Sequence, residues 1–382
     1  MVENNLRVAM LIQAYLPHIG GAERQLDALL PLLKQRGVDA FVLTRRFSGL
    51  SSFEMINNTP VYRLPIPGPK PLAAMSFTVA TQMKIAHLHP DVIHAHELLS
   101  PATAAILAKK IFGRPVVAKV LRGGDLGDLA KLKNRRLGEK RIASLKKGID
   151  SFIVISQEID KELTEVGILP EKKVFIPNGV DLNRFSLSTS AQKKILRKSL
   201  GLPLDGLIVI FSGRLDPEKR VNHLIDIWPS ILARHSDASL LILGVGSEAE
   251  RLRETAGKNI IFKGSVLDTA PYLQSADVFV LPSATEGLSN SLLEALSVGL
   301  PCVATAVGGT PDVVIHNENG MLISPDNPDA LRISLIDLLS DSSKRERLGK
   351  ASRELIRSKY SLENTADRLS DLYRQLTKRG KK

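Results

Sequence analysis

Cysteine, aromatic residues and long apolar runs are scarce in this chain of 382 residues. Its single cysteine, Cys302, excludes an internal disulfide, and its place in the apolar run PCVAT predicts a buried packing residue rather than a nucleophile. Aromatic residues make up 4% of the sequence, which disfavours a surface for stacking nucleic-acid bases. No apolar run approaches the roughly 20 residues of a membrane-spanning helix, and the start lacks the layout of a cleavable signal. We therefore expect a cytoplasmic protein.

Positive charge is in excess, with a net charge of +12, and this favours an acidic partner. The excess is concentrated in residues 131–147, where eight lysines and arginines face one glutamate. One reading is a solvated helix face, because Ile142, Leu145 and Ile149 form an apolar stripe at helical spacing. The others are an anionic membrane surface and, less favoured without aromatic residues, nucleic acid.

Short apolar runs alternate with helical stretches along the chain, a pattern typical of parallel sheets flanked by helices. In the first half the predicted strands are RVAMLIQ, AFVLT, DVIHAH, PVVAKV and SFIVIS. In the second half they are LIVIFSG, SLLILG, NIIFKG, DVFVLP and PCVAT. The sequence thus predicts an α/β fold of two doubly wound, Rossmann-like domains. The polar stretch 186–190 is the predicted junction, and an amphipathic helix follows residue 360.

Two glutamates, Glu286 and Glu294, bracket a passage from strand to helix. Residues 278–281 are short, apolar and rich in β-branched side chains, as in a strand buried on both faces. Residues 289–290 are good helix N-caps before an apolar helical stripe. Glu286 is therefore predicted at a strand end, and Glu294 about two turns into the next helix. The amides of residues 287–291 would attract an anion and the carboxylates would accept hydrogen bonds from hydroxyls, so the ligand should contain both groups.

A second polar strand end is GRLDPEKR, residues 213–220. Arg214 and Lys219 would stand at the entrance of the following helix, where two cations and the helix dipole favour a phosphate group. The alternative is a surface loop in which Asp216 or Glu218 neutralises these charges locally.

Two more strand ends contain glycine or charged residues. Gly20 and Gly21 follow the first strand, where a missing side chain lets a ligand approach the backbone. An ordinary loop explains them equally well. Arg122 and Asp125 follow the strand PVVAKV and would either contact a substrate or shape a turn.

The strand DVIHAH ends in two histidines, His94 and His96. Alternation along a strand places both imidazoles on one face. A metal pair, a structural pair and an active-site role for His96 are the three interpretations. No third ligand follows at metal-binding spacing, which disfavours the metal pair. An active-site role is favoured, because His96 at the carboxyl end of the strand can project into the loop.

Taken together, GGAER, HAH, IPNGVD, SGRLDPEKR, EGLSNSLLEA and GLPCVATAVGGTPDVV resemble the retaining nucleotide-sugar glycosyltransferases of family 4. These motifs follow the family's order over nearly the whole chain, and the combination of E-x7-E with R-x4-K is specific. The resemblance implies the GT-B fold, in which two Rossmann-like domains face a cleft. Residues 1–186 would form the acceptor-binding domain and residues 187–360 the nucleotide-sugar-binding domain. Residues 361–382 would form a helix that crosses back to the first domain.

The resemblance also implies site residues. Arg214 and Lys219 would grip the donor diphosphate, Glu286 would contact the sugar hydroxyls, and Glu294 would hold the ribose hydroxyls. The donor-binding set would be Gly20, Gly21, Arg214, Lys219, Glu286, Gly287, Leu288, Ser289, Asn290 and Glu294. The catalytic set would be His96, Glu286, Arg214 and Lys219, while Arg122 and Asp125 would contact the acceptor.

The implied reaction moves a sugar from a UDP- or GDP-sugar to a lipid-linked or polysaccharide acceptor, in the biosynthesis of cell-surface polysaccharide, lipopolysaccharide or glycolipid. No metal ion and no cofactor are expected, because side-chain cations and helix amides would stabilise the leaving diphosphate. The expected location is cytoplasmic, at the membrane face through residues 131–147, without nucleic acid as a partner. The alternative is another enzyme of this fold that needs no acceptor, such as a nucleotide-sugar epimerase or hydrolase.

Overall fold

The computed structural model describes residues 5–18 and 20–379. The first unit has strands β1 (Leu6–Leu11), β2 (Val38–Arg45), β3 (Phe53–Ile56), β4 (Thr59–Leu64), β5 (Val92–His96), β6 (Val116–Lys119), β7 (Ser151–Val154) and β8 (Lys173–Phe175). Its helices are α1 (Gly21–Gln35), α2 (Lys70–Leu88), α3 (Ser100–Phe112), α4 (Asp128–Lys133), α5 (Gly138–Gly148) and α6 (Gln157–Glu165).

The second unit has strands β9 (Ile208–Ser212), β10 (Ser239–Leu243), β11 (Ile260–Gly264), β12 (Val278–Leu281), β13 (Cys302–Thr305) and β14 (Met321–Ile323). Its helices are α7 (Ser190–Ser199), α8 (Val221–Leu232), α9 (Ala249–Thr255), α10 (Ala270–Ser275), α11 (Asn290–Ser297), α12 (Thr310–Val313), α13 (Pro328–Ser340) and α14 (Ser342–Lys359). The last helix, α15 (Leu362–Arg379), belongs to the first unit.

The first sheet has the strand order β3-β4-β2-β1-β5-β6-β7-β8. Its pairs are parallel except for β3 and β4, which form an antiparallel hairpin. Asn57 and Asn58 join these two strands with φ angles of +47° and +61°, the left-handed conformation of a tight hairpin turn. This hairpin was not predicted from the sequence, because its strands are short and partly exposed and the second of them contains Pro60.

The second sheet has the order β11-β10-β9-β12-β13-β14 and is parallel throughout its described pairs. Its central strands β9, β12 and β13 are completely buried, as their continuous apolar runs predict. Cys302 lies in β13 with no exposed surface, and burial raises the pKa of its thiol to about 12. The predicted α/β class with two doubly wound, parallel-sheet domains is confirmed.

Helix α15 completes the first unit with residues from the far end of the chain. Its apolar face is buried and contacts α1 and β5. The Tyr373 hydroxyl lies 2.7 Å from Nδ1 of His94, and Arg36 of the first unit pairs with Asp367 at 2.6 Å. Within the described residues, no helix combines the length and apolarity that crossing a bilayer requires.

The boundary between the units differs from the sequence expectation. The second unit begins at Gly179, whereas the predicted junction followed residue 186. The reason is a contact distant in sequence: the Arg353 guanidinium donates a 2.8 Å hydrogen bond to the Phe185 carbonyl oxygen, which holds this segment on the second unit. The predicted linker also contains Thr189, which caps α7 rather than remaining outside the secondary structure.

Candidate functional site

The candidate site of the second unit lies where the strand order of its sheet reverses. Strands β9 and β12 are hydrogen-bonded neighbours, yet the chain leaves β9 for β10 and returns to β12 on the other side. In open parallel sheets, ligands bind at the carboxyl ends of the strands beside such a switch point. Arg214 and Lys219 follow β9, while Glu286 and Glu294 follow β12. The four predicted residues therefore come from the two segments beside this switch point.

A buried ion pair joins the two sides of this switch point. Lys219 ends a short 3₁₀ turn, and its Nζ lies 2.6 Å from Oε1 of Glu286. The two side chains are only 14% and 8% exposed. Ser283, which the sequence analysis did not single out, donates a 2.7 Å hydrogen bond from Oγ to the same carboxylate oxygen. A cation and a carboxylate are thus fixed together at the strand ends.

Arg214 has a different environment from Lys219. Its side chain is 60% exposed and pairs locally with Asp216 at 2.5 Å and Glu218 at 3.1 Å. This is the local neutralisation that the sequence offered as an alternative to a phosphate clamp. The guanidinium is the exposed partner, whereas the Asp216 and Glu218 side chains are each 19% exposed. Pairs with an exposed partner contribute only about 0–1 kcal/mol, so an incoming anion can replace the carboxylates at small cost.

Helix α11 begins at Asn290, and Ser289 is its N-cap, with the Ser289 Oγ accepting a 3.4 Å hydrogen bond from the amide of Leu292. An α-helix has about 3.6 residues per turn, so Glu294 lies just over one turn into the helix and not two turns as expected. The Thr269 hydroxyl donates a 3.1 Å hydrogen bond to Oε2 of Glu294. The first amides of a helix have no intrahelical acceptors and point out of its N-terminal end.

A backbone contact supports the loop that contains Glu286. Gly308 has a φ of +57°, and a Cβ at this position would collide with the Glu286 carbonyl oxygen. The amide of Gly309 donates a 2.6 Å hydrogen bond to the Gly287 carbonyl. This contact was not predicted from the sequence, although the Gly-Gly pair in GLPCVATAVGGTPDVV was an available signal.

In the first unit, the rings of His94 and His96 stack 4.3 Å apart, on one face of β5 as predicted. The Nε2 atom of His96 is buried and has no hydrogen-bond partner within the described part of the chain. Burial and the nearby Lys119 lower the pKa of His96 to about 3. Burial, His96 and Lys119 also lower the pKa of His94. Both imidazoles are therefore neutral near pH 7.

The other predicted residues of the first unit lie in loops or at helix starts. Gly20 is the N-cap of α1 and Gly21 is its first residue. Arg122 and Asp125 lie between β6 and α4, in a loop whose Gly124 amide donates a 2.5 Å hydrogen bond to the Glu162 carboxylate. Among residues 5–18 and 20–379, no group of three or more His, Cys, Asp or Glu side chains is arranged to hold a metal ion. The roles of Gly20, Gly21, Arg122 and Asp125 stay predictions.

Comparison with known proteins identifies the family. Residues 19–184 match the profile described as Glycosyltransferase Family 4, and residues 192–355 match Glycosyl transferases group 1. The chain is 31% identical to an uncharacterized glycosyltransferase of Methanocaldococcus jannaschii, MJ1607, over 97% of this chain and 98% of that protein. It is 33% identical to a GDP-mannose-dependent monoacylated alpha-(1-6)-phosphatidylinositol monomannoside mannosyltransferase of Corynebacterium glutamicum, covering 93% and 94% of the two chains.

A solved structure supports the fold. The crystal structure of Anabaena Alr3699/HepE in complex with UDP-glucose superposes with a TM-score of 0.81 at 19% identity, over 97% of this chain and 100% of that one. The implied GT-B fold is therefore confirmed. From the two profiles and the relatives above 30% identity, this chain belongs to the family 4 glycosyltransferases.

Proposed function

We propose that this glycosyltransferase is a retaining enzyme that moves a sugar from a nucleotide-diphosphate sugar to a lipid-linked or polysaccharide acceptor. The observation that supports this most directly is the buried Lys219–Glu286 pair at the switch point between β9 and β12. Such a donor has negative charge on its diphosphate and hydroxyls on its sugar and ribose. The pair offers a cation to the first and a hydrogen-bond acceptor to the second.

Arg214 and Lys219 hold the diphosphate in this proposal. The exposed Arg214 guanidinium exchanges its local carboxylates for phosphate oxygens, which it can contact in a bidentate manner. When the bond between sugar and diphosphate breaks, negative charge grows on the leaving group. The two cations and the amides of Leu288, Ser289 and Asn290 at the start of α11 stabilise that charge. We therefore propose transfer without a metal ion or other cofactor.

The two carboxylates position the donor, and His96 is the proposed active-site histidine of the first unit. Glu286, held by Lys219 and Ser283, accepts hydrogen bonds from donor-sugar hydroxyls and balances the positive charge of an oxocarbenium-like transition state. Glu294, oriented by its hydrogen bond from Thr269, holds the ribose hydroxyls. The neutral His96 ring provides a hydrogen-bonding nitrogen to a substrate.

The substrate classes are proposed from the relatives and from charge. The Corynebacterium glutamicum relative is named for GDP-mannose and a phosphatidylinositol monomannoside, and the Anabaena structure contains UDP-glucose. We propose a GDP- or UDP-sugar donor and a lipid-linked acceptor for this chain. The basic residues 131–147 would bring it to anionic lipids on the cytoplasmic membrane face.

A donor panel tests this function. Purified protein is mixed with UDP- and GDP-sugars in a thermal-shift assay, where saturation at about 100 times Kd stabilises the fold by about 2.7 kcal/mol. Turnover with added acceptors is then followed by mass spectrometry, and NMR of the new anomeric centre reports retention. Turnover should persist in EDTA. If no donor gave either stabilisation or transfer, the proposed function would be refuted. Inversion at the anomeric centre would refute the retaining mechanism, and an EDTA block reversed by Mg²⁺ would refute transfer without a metal ion.

A further inference from the structure

The first unit has its own switch point, and a polar cluster there has no role in the proposed function. Strand β1 lies between β2 and β5, and the chain passes from β1 to β2 before it reaches β5 on the other side. Gln13 follows β1 and Glu97 follows β5. The Gln13 side-chain amide donates a hydrogen bond to Oε1 of Glu97. This bridge occupies the same position in the first sheet that Lys219 and Glu286 occupy in the second.

The backbone of Glu97 has an unfavourable conformation. Its φ is +94°, a region that side chains disfavour and glycine adopts readily. The Glu97 amide donates a 2.9 Å hydrogen bond to the Lys119 carbonyl oxygen, which fixes the chain in this position. Such conformations are concentrated at binding and catalytic sites. A loop that only had to turn here would be better served by glycine.

Arg45, at the end of the neighbouring strand β2, adds a cation to this cluster. One guanidinium nitrogen, Nη2, donates a 2.9 Å hydrogen bond to the Ser100 hydroxyl at the start of α3. Its Nε atom is buried and lacks a hydrogen-bond partner within the described residues. The guanidinium carbon lies 5.8 Å from the centre of the Phe77 ring, which limits its movement. Arg45 is therefore positioned with one donor group unused.

The Glu97 carboxylate also keeps capacity for a ligand. The hydrogen bond from Gln13 leaves its second oxygen, Oε2, for a ligand, and the charges of Lys131 and Arg45 attract the carboxylate. Burial, together with the buried Asp128 carboxylate, raises its pKa to about 7. Asp128 itself is occupied, because it accepts a 3.0 Å hydrogen bond from the Leu98 amide. A strained, half-buried carboxylate close to a fixed guanidinium suits a ligand rich in hydroxyls, which can satisfy both groups at once.

We propose that Gln13, Arg45 and Glu97 form the acceptor-binding site, which takes the hydroxyl-rich headgroup of a sugar or cyclitol. Glu97 accepts hydrogen bonds from the headgroup hydroxyls, and Gln13 and Arg45 donate hydrogen bonds to its oxygens. This inference rests on the proposed transferase function and assigns its second substrate to a place in the first unit. It assigns acceptor recognition to residues beside the switch point rather than to the loop of Arg122 and Asp125.

The test compares Glu97→Gln and Glu97→Gly with the wild type and with Glu171→Gln, a control at an exposed carboxylate of the same unit. Initial rates are measured with D-inositol 3-phosphate and with phosphatidylinositol monomannoside in detergent micelles. Both Glu97 variants should raise the acceptor KM about 10- to 100-fold, the effect of losing hydrogen bonds to a charged group. The donor KM should stay within about twofold, since Gln13, Arg45 and Glu97 do not belong to the proposed donor-binding set. The control should match the wild type.

Thermal unfolding of the same proteins separates a binding role from a structural one. Glu97→Gly should unfold at a higher temperature than the wild type, because glycine relieves the unfavourable φ. An unchanged acceptor KM in both variants would overturn the proposal, as would a lower unfolding temperature with equal losses for donor and acceptor. If the wild type transferred sugar to neither acceptor, the assignment of a hydroxyl-rich headgroup would be wrong. Failure of the transferase function itself would appear separately, as the absence of thermal shift and hydrolysis with every nucleotide sugar.

Discussion

Lys219 and Arg214 are both proposed to hold the diphosphate, but they differ in what they contact without it. Lys219 neutralises the buried Glu286, whereas Arg214 pairs with carboxylates while 60% exposed. Removing one partner of a buried pair leaves the other charge uncompensated, whereas losing an exposed pair changes stability little. Stability and activity should therefore separate at these two positions.

We expect Lys219→Ala to lower both the free energy of unfolding and the turnover. Without Lys219 the buried Glu286 carboxylate has no paired cation, which should lower the free energy of unfolding by about 3 kcal/mol. Loss of a donor that stabilises the leaving group should lower kcat/KM about 100-fold or more. Arg214→Ala should lower kcat/KM similarly but change stability by less than about 0.5 kcal/mol. Urea unfolding and initial rates with the identified donor measure both effects.

The matched control is Arg251→Ala, which removes another exposed arginine of the second unit, 56% exposed and paired with Glu248. It should leave stability and rates unchanged. Wild-type rates in Arg214→Ala and Lys219→Ala would contradict the diphosphate clamp. Unchanged stability in Lys219→Ala would show that Glu286 does not depend on this cation.

At the scale of elements, the loop after β13 fixes the backbone beside Glu286. Gly308 adopts a φ of +57°, and a methyl group in place of its α-hydrogen would collide with the Glu286 carbonyl oxygen. Gly308→Ala should destabilise the second unit by about 2 kcal/mol and weaken donor binding, since the Glu286 loop must move. The measurements are urea unfolding and calorimetric titration with the nucleotide.

Gly257→Ala is the control for that substitution. Gly257 has no positive φ, and a methyl group there would have no heavy atom of the described residues within 4 Å, apart from its own residue and its two chain neighbours. It should leave donor affinity unchanged. Equal donor affinity in the Gly308 and Gly257 variants would show that the loop does not depend on this close approach.

The basic segment forms two helices, α4 and α5, rather than one continuous element. Ile142 and Leu145 of α5 and the following Ile149 are buried, so the predicted core-facing stripe is confirmed. The side chains of Arg135, Arg136 and Lys140 are exposed on the surface of the same unit. The burial pattern agrees with both the solvated face and the membrane surface, and an experiment must choose between them.

Replacing Arg135, Arg136 and Lys140 together by glutamine should weaken binding to vesicles that contain phosphatidylserine. Each basic residue near such a surface contributes about 1 kcal/mol, so the loss is about 100-fold in the partition coefficient. The control variant replaces Lys350, Arg357 and Lys359, exposed basic residues of α14, by glutamine. Its partition coefficient should stay close to that of the wild type. Equal sedimentation of both variants with the vesicles would support the solvated face.

At the scale of the whole molecule, the sequence predicted what depends on neighbours along the chain. Buried strands such as β9 and β12 follow from continuous apolar runs, and the motifs around Glu286 follow from a family pattern. The site contacts of Thr269, Ser283 and Gly308 were missed, because each depends on how the chain places its segments in three dimensions. The unit boundary at Gly179 was missed for the same reason, since Arg353 fixes it from far along the sequence.

The first unit likewise joins distant segments, and the histidines buried between them make its stability depend on pH. Helix α15 covers β5, and its Tyr373 hydroxyl contacts His94, which stacks on His96. Burial holds the His96 pKa at about 3, well below its ordinary value of 6.5. In the unfolded chain the ring binds a proton below about pH 6.5, while in the folded chain it stays neutral. Its contribution is therefore present above pH 6.5 and lost progressively as the pH falls toward 3.

His96→Asn should remove this part of the acid sensitivity, because asparagine does not titrate. Each buried neutral histidine costs about 1.4 kcal/mol per pH unit below 6.5, so between pH 7.5 and 5.0 the wild type should lose about 2 kcal/mol more than the variant. Glu97 acts in the opposite sense, since its raised pKa gives stability that is lost as the pH rises through about 7. The Glu97 contribution is present in both the wild type and His96→Asn, so it largely cancels when their unfolding free energies are compared.

Urea unfolding from pH 8 to pH 4.5 measures this difference, with His87→Asn as the control. His87 is an exposed histidine on α2 of the same unit, so its replacement should give a curve parallel to the wild type. Parallel curves for His96→Asn and the wild type would mean that His96 takes up its proton in the folded state. In that case the neutral ring proposed for the active site would be wrong as well. Stability against pH thus tests the protonation state of His96 without any substrate.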